Sequence, residues 1–210
     1  GNDFVKYFGD DAPLFQSIEY QYHALPQKMD VIQSDDRISM NICSIGFDAK
    51  AGYNFTRLKK MPMIGGKTAY NLAVGLTLMG KMANTMRFTI DGDRVIEKEA
   101  LICVIANGIC YGGSFHAAPY AKIDDGLIDL ILVDSVSRLK FINLVNIYKQ
   151  GKHIGHPKLA DVIHYERCTS IKAESPAPFV VNFDGECKEV DSITFQIVKD
   201  GLTFCMPQRN

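Results

Sequence analysis

Hydrophobic and polar residues alternate along much of this chain, a pattern that is typical of half-buried β-strands. Two or three strands are predicted between residues 18 and 49, beginning with the alternating Ile18, Tyr20 and Tyr22. Further strands, including one hairpin at 87–96, are predicted at residues 87–96, 101–106, 128–133, 179–183, 186–190, 193–197 and 202–206. The Asp-Gly pairs that predict tight turns lie at 91–92, 184–185 and 200–201.

Helical periodicity is confined to a few segments. Residues 68–79 are apolar almost all round, with Thr68 placed to cap the start of a helix and Gly80 beyond its end. Apolar residues also fall at helical spacing at Phe141, Leu144, Val145 and Tyr148, before Gly151. Residues 1–9 have the pattern of the end of a helix.

The balance of these elements predicts the fold class. Strands outnumber helices, short turns join consecutive strands, and no regular alternation of strand and helix indicates a parallel sheet. The chain is therefore predicted to be mainly β (α+β), an antiparallel β-sandwich with two or three helices. At 210 residues it can bury a core without disulfides.

The composition of the chain argues against several classes of function. With 23 basic and 24 acidic residues, the net charge of -1 provides no field to hold nucleic-acid phosphates. The 6 cysteines form no CxxC pair, which favours reduced thiols and a cytoplasmic location. No run approaches the roughly 18 apolar residues of a membrane span. The sequence does not begin with Met, and we expect it to be part of a larger protein.

A glycine-rich loop between two predicted strands ends in Asp124, Asp125 and Gly126. Adjacent carboxylates in a tight turn, helped by backbone carbonyls, can coordinate a hard cation such as Mg²⁺ or Ca²⁺. A plain Asx turn explains the same residues, and spacing alone favours it.

Two carboxylates, Asp184 and Glu186, flank Gly185 directly after an apolar run. They suit acid–base chemistry at a hairpin tip, but a simple Asp-Gly turn with a solvated glutamate is the alternative that spacing favours. His153 and His156 have the spacing of metal ligands without a third ligand nearby, so solvated loop histidines are predicted.

The order of several short motifs resembles the diacylglycerol kinase catalytic-domain family, which includes bacterial diacylglycerol kinase-like proteins and sphingosine kinases. These motifs are GNDF at 1–4, SIGFDA at 44–49, GKTAYNLA at 66–73, ANGICYGG at 106–113, AP at 118–119, DDG at 124–126 and DGE at 184–186.

The resemblance implies the carboxy-terminal domain of the NAD kinase/diacylglycerol kinase-like fold. The GGDGT nucleotide motif of the family's first domain is absent from this sequence. We therefore expect residues 1–16 to be a remnant of that α/β domain, and residues 17–210 to be the β-sandwich domain. ATP would bind through the missing domain, so the isolated fragment is expected to be inactive.

The resemblance also implies roles for individual residues. Glu186 and Asp184 would be the catalytic pair, one of them accepting the proton of a lipid hydroxyl. Asn2 and Asp3 would face the nucleotide. For a structural Mg²⁺, Asp125 would supply its carboxylate, Lys122 and Leu127 their backbone carbonyls, and Asp124 would lie just behind these ligands.

The implied substrate is diacylglycerol or a related lipid, phosphorylated at the inner membrane surface by a peripheral, cytoplasmic enzyme. Residues 57–67 mix basic with apolar side chains and are a candidate for contact with anionic lipid, although a basic loop over a core helix fits equally well. Exposed strand edges would allow a homodimer. The alternative from another class is a non-catalytic β domain that binds a lipid or a partner protein.

Overall fold

The computed structural model describes residues 3–35, 37–60, 66–113 and 115–208, with no side-chain description for residues 66–67. The strands are β1 Leu25–Ser34, β2 Arg37–Ser39, β3 Ile42–Gly46, β4 Asn84–Ile90, β5 Arg94–Ala106, β6 Ile128–Asp134, β7 Ile163–Cys168, β8 Ser170–Phe183 and β9 Glu186–Met206. The α-helices are α1 Ile18–Tyr22, α2 Phe47–Lys59, α3 Gly66–Met79 and α4 Arg138–Lys149, and Phe4–Gln16 forms a 3-10 segment.

All nine strands join in one antiparallel sheet. Its order is β2-β1-β9-β8-β3-β5-β6-β7, and β4 pairs with both β5 and β8. The pairing register shifts within β5 between Ala100 and Ile102, within β8 between Glu174 and Phe179, and along β9 opposite Met29 and Val31, as β-bulges produce. The predicted class, a mainly β antiparallel sandwich with few helices, is confirmed.

Two hydrophobic clusters lie on opposite faces of the sheet. The inner cluster contains Phe88, Phe179 and Phe195, all nearly inaccessible to solvent. The outer cluster lies beneath α3 and α4, and includes Leu101 and Ile102. These two neighbours share a face because the β5–β6 register shifts there, which is the effect of a β-bulge.

Helices α3 and α4 are joined at their ends by one side chain. The guanidinium of Arg138 donates to the carbonyl oxygens of Leu78 at 2.7 Å and Gly80 at 3.0 Å. These are carbonyls that the end of α3 leaves without a helical partner. At the start of α4, Ser137 accepts a hydrogen bond from the Lys140 N–H at 3.2 Å, as an N-cap does.

Several predicted elements differ from those observed. Residues 18–22 form a helix rather than a strand, and Ile18 and Tyr22 are exposed. Strand β9 passes through Asp200 and Gly201 without a hairpin. Helix α2 and strand β7 were not predicted. Within the described residues, no helix has the length and apolar character needed to cross a bilayer.

Candidate functional site

A cavity of about 850 Å³ lies between the outer face of the sheet and helices α2, α3 and α4. Its volume is at the upper end of the range of small-molecule sites. The wall is largely apolar, with contributions from Phe47, Phe55, Val74, Leu101, Val133 and Phe141. Asp184 and Gly185 also border it, so a carboxylate lies on the rim of an apolar chamber.

Asp184 is held by the backbone at the start of β3. Its two carboxylate oxygens accept hydrogen bonds from the N–H groups of Met40 at 2.7 Å, Asn41 at 3.2 Å and Ile42 at 2.9 Å. The residue has a positive φ of 48°, and Phe183 pairs directly with Glu186 across a two-residue turn. Asp184 keeps an exposed surface at the rim. Desolvation of its carboxyl group nevertheless raises the pKa, and this effect outweighs the three hydrogen bonds, which lower the pKa.

Glu186 follows two residues later but is much less constrained. Its carboxylate accepts from the guanidinium of Arg37 at 3.1 Å, and its side chain is 81% exposed. The guanidinium of Arg37 also lies over the ring of Phe183, 5.2 Å from the ring centre. The turn therefore presents one anchored carboxylate and one that can move toward a substrate.

Buried polar residues connect this turn to the Asp125 turn. The side chain of Asp30, fully buried in β1, accepts from the Gly126 N–H at 2.6 Å. The amide of Asn107 donates to the carbonyls of Asp30 at 2.8 Å and Met40 at 2.9 Å. Since the Met40 N–H binds Asp184, a continuous set of contacts fixes the two turns relative to each other.

The turn at 124–126 combines features of both alternatives that the sequence left open. Oδ1 of Asp125 accepts from the Leu127 N–H at 3.1 Å, which is an Asx-type contact. Oδ2 is buried without a hydrogen-bond partner in the described residues, and its closest cation is the Arg167 guanidinium at 3.6 Å. Asp124 and Lys122 are exposed.

A buried carboxylate oxygen without a hydrogen-bond donor suits a hard cation, but the Arg167 guanidinium already places a positive charge 3.6 Å from this one. The described residues contain no group of three or more His, Cys, Asp or Glu side chains able to hold a metal ion. A metal site formed by the Asp125 carboxylate and the backbone carbonyls of Lys122 and Leu127 would contain only one acidic side chain.

At the amino terminus, Asp3 holds the glycine-rich loop. Its carboxylate accepts from the Gly113 N–H at 2.8 Å and pairs with Lys6 at 2.6 Å, and Asp3 also borders the cavity. Asn2 lies outside the described residues, as do Met61, Met63 and Ile64 of the basic stretch. Of that stretch, Lys59 and Lys60 are described and exposed.

A polar cluster that the sequence analysis did not identify interrupts the apolar wall. It consists of Asp48 from the first turn of α2, Tyr111 from the loop after β5, and Tyr148 near the end of α4. The Tyr111 hydroxyl donates to Asp48 Oδ2 at 2.6 Å. Burial raises the pKa of all three side chains. Asp48 and Tyr111 lie within SIGFDA and ANGICYGG, so the motifs were the available signal.

Comparisons with known proteins identify the relatives of this chain. Residues 41–205 match the family model of the YegS C-terminal NAD kinase beta sandwich-like domain. A diacylglycerol kinase of Staphylococcus saprophyticus subsp. saprophyticus is 26% identical over 186 residues, 88% of this chain and 58% of that protein. A diacylglycerol kinase of Staphylococcus haemolyticus is 26% identical over 209 residues, 99% of this chain and 61% of that protein.

A solved structure of a diacylglycerol kinase from Bacillus anthracis str. Sterne has the same fold. It superposes with a TM-score of 0.66 at 18% identity, over 98% of this chain and 63% of that one. The chain thus spans about three fifths of the length of the relatives it matches.

Proposed function

Because this chain belongs to the family of the YegS C-terminal NAD kinase beta sandwich-like domain, we propose that it is the carboxy-terminal domain of an ATP-dependent lipid kinase. The observation that carries the proposal is the apolar cavity of about 850 Å³ with the Asp184 turn on its rim. Such a chamber accommodates hydrocarbon, while the carboxylates remain beside the polar end of the lipid. Diacylglycerol or a related lipid alcohol is the proposed acceptor, as the names of its relatives suggest.

In this proposal Glu186 is the general base and Asp184 positions it. Three backbone N–H groups occupy the Asp184 carboxylate, whereas Arg37 is the one hydrogen-bonding partner described for the Glu186 carboxylate. Glu186 would accept the proton of the lipid hydroxyl as its oxygen bonds to the γ-phosphorus of ATP. The bond from that phosphorus to the β,γ-bridging oxygen breaks, and ADP leaves.

ATP would bind mainly to a part of the protein outside residues 1–210. In this division, residues 17–210 form the acceptor domain and residues 1–16 continue from the nucleotide side, where Asp3 steadies the glycine-rich loop beside the cavity. We expect this chain alone to transfer no phosphate.

A Mg²⁺ ion is proposed at the Asp125 turn. The buried Oδ2 of Asp125 lacks a hydrogen-bond partner in the described structure, and the backbone carbonyls of Lys122 and Leu127 would be the other protein ligands. Asp124 would stand behind them. The ion would neutralise Asp125 and stiffen a turn that Asp30 already links to the Asp184 side of the site.

The proposed enzyme works at the cytoplasmic face of the membrane as a peripheral protein. Helices that cover the cavity expose apolar side chains, among them Leu76 and Met79 on α3 and Leu139 on α4. Lys59 and Lys60 lie at the end of α2, which also lines the cavity. Apolar side chains beside basic ones are suited to an anionic lipid surface.

The test is phosphate transfer from labelled ATP to a panel of lipid alcohols in mixed micelles, with the full-length natural protein. Glu186→Gln should lower transfer at least about a hundredfold, as loss of a general base does. Glu189→Gln, an exposed change on the same strand, is the matched control and should leave transfer unchanged. Lipid binding without transfer to any alcohol would favour the alternative, a lipid-binding β domain.

A further inference from the structure

Glu186, the proposed general base, lies on an exposed turn that restrains it little. Its side chain is 81% exposed, and the three backbone N–H groups at the start of β3 all bind the carboxylate of Asp184 instead. A glutamate side chain has several rotatable bonds, and a base acts only when one of its oxygens is within hydrogen-bond reach of the proton it accepts. Glu186 therefore requires a partner that fixes the direction of its carboxylate.

In the described structure that partner is Arg37 on β2. The Nη1 group of its guanidinium donates to Glu186 Oε2 at 3.1 Å. Among the described residues, none donates a hydrogen bond to the other oxygen, Oε1. The pair thus occupies one oxygen of the base and leaves the second one available to a substrate.

Arg37 is itself held in place by Phe183. The Arg37 guanidinium lies over the Phe183 ring, 5.2 Å from the ring centre, and Phe183 is only 5% exposed. The Nε atom of Arg37 is buried. Phe183 pairs directly with Glu186 across the β8–β9 turn, and directly opposed residues share a face of the sheet. One guanidinium can therefore stack on the ring and bind the carboxylate at the same time.

A single short segment, residues 37–42, holds both carboxylates of the turn. Its backbone N–H groups bind Asp184, and the Ile42 carbonyl accepts from the Asp184 N–H at 3.2 Å. The first side chain of the segment, Arg37, binds Glu186. Stability does not explain this second contact, because exposed ion pairs contribute little to the free energy of unfolding. The segment instead fixes Arg37 in relation to Asp184 and to the rim of the cavity.

From this geometry we infer that Arg37 is a positioning residue for phosphate transfer. Its guanidinium, fixed on the ring of Phe183, holds Oε2 of Glu186 so that Oε1 is directed at the lipid hydroxyl. This inference rests on the proposed function, in which Glu186 accepts the proton of that hydroxyl. Arg37 acts through Glu186, so its loss should slow the transfer step without weakening lipid binding.

A double-mutant cycle in the full-length natural protein tests the inference, with labelled ATP and the same panel of lipid alcohols in mixed micelles, dioleoylglycerol among them. Arg37→Gln should lower kcat about tenfold or more and change the KM for the lipid less than about twofold, because a misdirected base weakens only the transition state. In the Glu186→Gln background the same substitution should change the residual transfer less than about twofold. Arg37→Lys keeps the charge without the planar stacking group, so its kcat should lie between those of the native protein and Arg37→Gln.

Arg87→Gln is the matched control. Arg87 pairs with Glu97 at 3.4 Å on the β4–β5 hairpin, both side chains are exposed, and kcat should be unchanged. Far-ultraviolet circular dichroism verifies that each variant is folded. An unchanged kcat in Arg37→Gln, or an equal fold loss in both backgrounds, would overturn the inference and leave the kinase proposal intact. Transfer undiminished by Glu186→Gln, or no transfer by the native protein, would instead reject the proposed function and the inference with it.

Discussion

Acidification should destabilise this chain through His153, which is buried in the loop after α4. The residue is 1% exposed, and its Nε2 lies 3.0 Å from the carbonyl oxygen of Ala117. Desolvation lowers the pKa of His153 from 6.5 to about 4, because burial disfavours the charged imidazolium. In the unfolded chain the same side chain takes up its proton near pH 6.5.

The sign and size of the effect follow from proton linkage. Between pH 6.5 and pH 4 the unfolded state binds more protons than the folded state, so the free energy of unfolding falls as pH falls. The stabilisation is fully present above pH 6.5. A difference of about 2.5 pH units at 1.36 kcal/mol per unit gives a loss of about 3 kcal/mol by pH 4. That is a large part of the stability of an ordinary domain.

The assay is urea unfolding at pH 7, 5.5 and 4, followed by far-ultraviolet circular dichroism because the chain has no tryptophan. The carboxyls of Asp48 and Asp184, whose pKa values are raised by desolvation, contribute with the opposite sign. The quantity to compare is therefore the difference between the native chain and His153→Gln. That difference should change by about 3 kcal/mol between pH 7 and pH 4.

His23→Gln is the matched control, because His23 is exposed. The free energy of unfolding of this variant should follow that of the native chain at every pH. A difference between the native chain and His153→Gln that stays constant with pH would refute the reasoning. It would mean that the imidazole accepts its proton in the folded state as easily as in the unfolded one.

Two further predictions concern the fold and the membrane surface. Gly46→Ala should lower the free energy of unfolding by at least about 2 kcal/mol in urea titrations, because φ is +111° and the added Cβ would lie 2.2 Å from the Leu101 carbonyl oxygen. The control is Gly75→Ala on α3, where the added Cβ enters open space and the change should be neutral or stabilising. Equal losses of stability in the two variants would contradict this account. Reversing Lys59 and Lys60 to Glu in the full-length protein should weaken sedimentation with phosphatidylserine vesicles about tenfold or more at low salt, and unchanged binding would remove the basic end of α2 from the membrane surface.

The sequence predicted strands correctly where a strand buries one face and a short turn joins it to the next strand. The Asp91-Gly92 and Asp184-Gly185 hairpins form as predicted, because their φ values are set by the residues themselves. The same signal failed at Asp200, where φ is also positive. There the Asp200 N–H donates to the buried Asp30 carboxylate, 170 residues away, and β9 continues. Contacts between residues so far apart in the sequence do not affect the local hydrophobic pattern, so the pattern could not predict them.

The candidate site was predictable in part for the same reason. The turns at 124–126 and 184–186 are local and were located by motif order. The cavity is not local, since its wall is assembled from several helices and strands. Helix α2, which lines that cavity with Phe47 and Phe55, was not predicted. His153 was predicted to be solvated, but its ring packs against the ring of Tyr148. The loop after α4 brings the two side chains together.

The place of β9 in the sheet has a consequence for synthesis on the ribosome. This last strand, residues 186–206, lies between β1 and β8, and it pairs with β1 along most of the length of both, as in Leu25 with Met206. Until it emerges, β1 and β8 each present an open edge to other chains. The sheet closes only after nearly the whole domain has been translated, so its nascent form is the stage most exposed to aggregation and most dependent on chaperones.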